Sequence, residues 1–174
     1  MSRLATQQRA VLAMLKNRPC DASGDDWLML ISQSRELVML REIARWWRQY
    51  QVAGQCRFTT LLLKRTGRFE EAINRYFEAD CTSPYMEEMA RGFLKTLGAH
   101  GDELLRQVAR TELGLIEAKQ GRRTDVDWDR HPDMVFAALD NNTEMPSRDE
   151  HYDYHLTIDQ ALRCIRRRRV TVKE

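Results

Sequence analysis

This sequence predicts a mainly α-helical body with a small β appendage (α+β). About six helices occupy residues 1–121, and a two- or three-stranded antiparallel sheet follows over 122–174. Three observations carry that expectation. Apolar residues recur at the helical period up to Gly121, most clearly in residues 67–120. No strand signal precedes Gly121. Beyond it, Tyr152, Tyr154, Leu156 and Ile158 alternate with His151, Asp153, His155 and Thr157, the period of a half-buried strand.

Taken in order, Leu4, Val11, Met14 and Leu15 mark a first helix that ends at Asn17-Arg18-Pro19. A polar turn, Asp21 to Asp25, then offers caps for a long helical segment from Asp26 to about Gln51, with Ser32-Gln33-Ser34 as a candidate break. Gly54 is read as its end, and Phe58, Leu61, Leu62 and Leu63 as a short helix up to Gly67. Ala72, Ile73, Tyr76 and Phe77 form the next stripe, and Ser83-Pro84 starts the helix carrying Met86, Met89, Ala90, Phe93, Leu94 and Leu97. Past Gly98 and Gly101, Leu104, Leu105, Val108, Ala109, Leu115 and Ile116 form another stripe, closed by Gly121. Val126, Trp128 and His131-Pro132 read as extended chain, and Met134–Leu139 as a compact apolar run. Asp159 is a candidate cap for a turn through Ala161 and Leu162, and the β-branched end from Val170 to Val172 suggests a last strand running from about Arg166 to Lys173.

Composition narrows the function classes. With 174 residues, 43% apolar and 31% charged, the chain can bury a core and has no disordered signature. A formal net charge of +2 calls for no large nucleic-acid footprint. No apolar run exceeds six residues, so neither a membrane span nor a signal peptide is read, and a cytoplasmic location is expected. Cys20, Cys56, Cys81 and Cys164 lack paired metal-ligand spacing and are read as free thiols.

An ordered set of short motifs runs through the helical half: Gly67-x-Phe69, Ala72, Tyr76, Ser83-Pro84, Gly92-Phe93 with Thr96-Leu97, and Ala109-x-x-Glu112. In that order they resemble the helical half of HvfC-type proteins, over roughly residues 4–140. Where many relatives have Phe-Pro, this chain has Phe58-Thr59. The resemblance implies a partner subunit of an iron-containing TIM-barrel enzyme that modifies ribosomal peptides. Among the group's short members, that enzyme is MbnB-like and the substrate an MbnA-like precursor peptide, whose cysteines become oxazolone and thioamide groups in methanobactin biosynthesis. It also implies that the iron ligands lie in the partner, so no cofactor is expected in this chain.

Several clusters carry side chains suited to chemistry. His151, Asp153 and His155 share one face of a strand, which suits part of an iron or zinc site or a plain solvated face; the solvated face is preferred, and no metal ligand is assigned. Glu112 falls in an apolar stripe, so it needs a partner such as Arg106 or Arg110, or else is a catalytic acid. Arg45-Trp46-Trp47-Arg48 could stack on nucleic acid, but a core tryptophan with arginine stems over the other is preferred. From Arg163 onward six basic residues face one acidic, a local charge of +5. That run reads as partner docking with edge protection, as a solvated tail, or as phosphate contact. No nucleotide loop, nucleophile triad or metalloprotease motif is present, so no catalytic residue is assigned.

Peptide capture on an exposed sheet edge is the expected function. The candidate peptide-binding residues are Tyr152, Tyr154, Leu156 and Ile158 on one strand, and Arg166, Arg168, Val170 and Val172 on the other. Arg167 and Arg169, with the helical body, are candidates for docking the enzyme. A helical nucleic-acid-binding regulator is the alternative. An independent metalloenzyme built on His151, Asp153 and His155 is a third.

Overall fold

The computed structural model describes residues 3–20, 22, 24–78, 85–160 and 163–169. Among these residues the fold is mainly helical, with eight helices and one small antiparallel sheet. Two compact units meet within a helix, Met1–Tyr50 and Gln51–Glu174. Within the second unit, helices and sheet share one core.

The first unit holds α1 (Arg3–Leu15), α2 (Asp26–Ser32) and most of α3 (Arg35–Gln55). Its core is small: Met14, Leu28 and Leu37, with Ala10, Val11, Leu15 and Ile31 packed against them. Asn17, at φ 53°, turns the chain out of α1. Asp25 caps α2 by accepting from the Trp27 and Leu28 N–H groups, and the Ser34 hydroxyl accepts from Leu37 N–H at the start of α3. The break expected at Ser32–Ser34 is thus present.

Two expectations change here. Gly54 does not end α3, which runs on to Gln55; burial of Val52 and Cys56 outweighs the roughly 1 kcal/mol that glycine costs inside a helix. Neither tryptophan is a core residue, since Trp46 is 60% and Trp47 52% exposed. Both stack on Tyr50, at ring separations of 5.4 and 6.2 Å.

The second unit continues with α4 (Arg57–Arg65), α5 (Phe69–Glu78), α6 (Met86–Leu97) and α7 (Glu103–Ala118). Ser83-Pro84, expected to start α6, and Cys81 lie outside the described residues. Helix α7 is the central element and buries residues along nearly its whole length. Asp102 caps it through the Leu105 N–H, and Gly121, at φ 73°, turns the chain away after its end. The α5–α6 crossing is close: a Cβ on Gly92 would lie 2.3 Å from the Tyr76 hydroxyl.

Glu112 links two of these helices. Its Oε1 accepts from Phe58 N–H and its Oε2 from Thr59 N–H, both at 2.8 Å. These are orphan donors of the first turn of α4, whose N-cap Cys56 makes no side-chain cap bond. Neither proposed arginine reaches it: Arg106 pairs with Glu103, and Arg110 donates to the Asp125 carbonyl. Burial pushes the Glu112 carboxyl above its ordinary value, and the bonds from Thr59 and Phe58 oppose that rise.

The sheet has the order β1–β2–β3, from Thr124–Trp128, Tyr152–Ile158 and Arg163–Arg169, all antiparallel. Leu156 lies opposite Val126 and Ile165, and Tyr154 opposite Trp128 and Arg167. The inward face of β1 and β2 is Val126, Trp128, Tyr154, Leu156 and Ile158, all buried. Trp128 Nε1 donates to Thr111 of α7 at 3.2 Å. At Gly114 of α7, a Cβ would lie 3.0 Å from both Ile158 Cδ1 and Thr124 Cβ, so the missing side chain lets the sheet sit close.

Of His131-Pro132, read as extended chain, His131 is extended and serves as the N-cap, while Pro132 begins a helix, α8 (Pro132–Asp140). Proline suits the first helical turn, and Val135, Phe136 and Leu139 then fall on one buried face. Phe136 bridges Phe58 of α4 and Trp128 of β1, at 4.7 and 5.6 Å between ring centres.

Two stability changes follow. Glu112→Ala is expected to lower the unfolding free energy by about 3 kcal/mol, with Glu112→Gln intermediate because one acceptor remains, as read by denaturant melts. Gly92→Ala is expected to lower the melting temperature despite its better helix propensity, because overlap with Tyr76 outweighs that gain.

Candidate functional site

A three-stranded sheet has two outer edges, and here they differ. Beside β1, Arg110 of α7 donates to the Asp125 carbonyl, and Asp149 N–H pairs with the Asp129 carbonyl just past the strand end. Beside β3, no strand of the described residues pairs with the side away from β2. The open edge is Arg163–Arg169.

Strand β2 is the central strand and pairs on both sides, so the expectation that its own edge receives a peptide is corrected. Its apolar side chains are also committed inward. Leu156 and Ile158 are buried in the core. Tyr154 is buried, with its ring edge-on to His131 and its hydroxyl donating to Asp149 Oδ2 at 2.6 Å. Tyr152 is half-buried beneath the Arg167 guanidinium, 3.4 Å from its ring centre.

Arg166 and Arg168 are exposed on the outward face of β3, opposite His155 and Asp153 respectively. Neither side chain makes a hydrogen bond or ion pair among the described residues. Arg169 pairs through its backbone with Tyr152, but its side chain, and the whole of Val170 and Val172, lie outside the described residues. So do Ala161 and Leu162, where a turn was expected.

The outward face carries a row of acids on β1 that the sequence reading left unassigned. His155 Nδ1 lies 2.7 Å from Asp127 Oδ1, and its Nε2 lies 3.4 Å from Asp125 Oδ1. Thr157 also donates to Asp125 at 2.6 Å. The Thr157 and Arg123 hydrogen bonds hold the Asp125 carboxyl below its ordinary value. Among the described residues no group of three ligating side chains is placed to hold a metal. Asp127, Asp129, Asp153, His155, Arg166 and Arg168 line an open groove of about 940 Å³. A signal for these acids was present: Asp125, Asp127 and Asp129 alternate with Val126 and Trp128, the same period of two that exposes β2.

Asp149 fixes the entry to β2. Its Oδ1 accepts from His151 and Tyr152 N–H, and its Oδ2 from the Tyr154 hydroxyl. The Tyr154 hydrogen bond, with those from the backbone, lowers its carboxyl and raises the tyrosine. A lowered folded-state value means stability that is fully present above the unfolded value, about 4, and lost as the pH falls through the folded value. Asp149→Asn is therefore expected to flatten the acid limb of the stability curve and leave a smaller difference at low pH than at pH 7. Urea melts across that range would measure it.

Among the described residues, no helix is long and apolar enough to cross a membrane. No family model, no curated protein and no solved structure matches the chain.

Proposed function

We propose that this chain is a non-catalytic partner subunit that captures a ribosomal precursor peptide by its leader. It then presents the peptide to an MbnB-like, iron-dependent TIM-barrel oxidase in the cytoplasm. On this reading the chain resembles MbnC, and the enzyme converts cysteines of an MbnA-like peptide to oxazolone and thioamide groups of a copper-chelating methanobactin. The iron belongs to the partner. The observation that supports capture is the open edge of β3, whose backbone groups suit an added strand. The ordered helical motifs, from Gly67-x-Phe69 to Ala109-x-x-Glu112, support the choice of enzyme class.

Docking of the enzyme is supported by the exposed face of α3, where Met39, Ile43, Trp46 and Tyr50 follow one another at helical spacing. Tryptophan, tyrosine, methionine and arginine are the side chains enriched at protein interfaces. The same exposed tryptophans, beside Arg45 and Arg48, favour nucleic acid as a second reading.

Co-expression with an iron TIM-barrel enzyme and its precursor peptide tests the proposal. The expected result is a stable complex in which leader-bearing peptide binds this chain and leaderless peptide does not. Ile43→Glu with Trp46→Glu should weaken enzyme co-purification at least tenfold and leave peptide binding unchanged. Equal binding of leaderless peptide, or salt-steep binding of a single-stranded oligonucleotide with no enzyme complex, would overturn it.

A further inference from the structure

We infer that the open edge of β3 selects an acidic strand, with carboxylates at alternate positions beside Arg166 and Arg168 and an apolar residue beside Ile165. This rests on the peptide-capture reading above and specifies the chemistry of the peptide.

Alternation along β3 fixes what an added strand would meet. Its outward positions would lie beside Arg166 and Arg168, and its inward positions beside Ile165 and Arg167. Arg166 and Arg168 are exposed, and their side chains carry no hydrogen bond or ion pair among the described residues. Neither group across from them on β2 pairs with their guanidinium groups. His155 is engaged by Asp127 of β1, and Asp153 makes no ion pair with Arg168. Arg167 is held over Tyr152, so it leaves the outward track to the other two. Ile165 is half-buried against the core, and a neighbouring apolar side chain would extend that surface.

The same arrangement discriminates against wrong strands. A second copy pairing through β3 would bring arginines against arginines, and a basic peptide would meet the same repulsion. An acidic strand removes that penalty and gains two cross-strand charge pairs. The sequence pattern is apolar–Asp/Glu–x–Asp/Glu, in either chain direction.

Three synthetic fluorescein-labelled peptides of equal length test this with the full chain. They alternate valine with glutamate, with glutamine or with lysine, and anisotropy is read at low and high salt. The expected order is glutamate, glutamine, lysine, with about tenfold between the first two at low salt, most of it lost at high salt. Arg166→Glu with Arg168→Glu should reverse the order, and Arg166→Gln with Arg168→Gln should level it. Methylating the backbone nitrogens of the glutamate peptide should abolish binding. If the glutamate and glutamine peptides bind equally, or the order survives charge reversal, the acid preference is overturned while strand capture stands. If no peptide binds, or the methylated peptide binds as well as its parent, strand capture itself is overturned.

Discussion

One buried carboxylate ties the second unit together. Glu112 sits inside the most buried helix, α7, and spends both oxygens on the first-turn N–H groups of α4. A helix start left without partners in the interior would be costly, and Cys56 offers no side-chain cap. The bond therefore fixes where α4 begins and how it lies on α7. From α4, Phe58 reaches Phe136, and Phe136 reaches Trp128 of the sheet. Thr111, on the adjacent residue of α7, accepts from that same Trp128.

This chain of contacts explains how so small a sheet is held. Three short strands are marginal without a packed face, and here α7 and α8 supply it. The inner side chains of β2 are consumed by that packing, as are both of its edges. What remains outward is the acidic row of β1, the His155 that bridges to it, and the arginines of β3. Opposite charges thus occupy the two margins of one face, and among the described residues no strand pairs with the outer side of the basic margin.

Much of this was legible in the sequence because its signals are local. The stripes of α5, α6 and α7 and the alternation of β2 were readable from spacing alone, as was the turn at Gly121. The failures were mostly non-local. Whether β2 is central or at an edge depends on β1, five residues long and more than twenty positions earlier, which no pattern within β2 reports. The partner of Glu112 is a backbone segment fifty-four residues away rather than a side chain of opposite charge. Gly54 looked like a helix end because burial of Val52 and Cys56 is invisible in a propensity argument. Pro132 reads as extended chain for a different reason: proline marks both extended chain and helix starts, and burial of the apolar run after it selects the helix.

The account centres on β3 as the edge that takes up an outside polypeptide. Amide hydrogen exchange of the chain, with and without a leader-bearing precursor peptide, tests this most directly. The account predicts new protection over Arg163–Arg169, with β1 and α3 unchanged by peptide alone. Protection confined to β1 or α3, or none at all at saturating peptide, would contradict it.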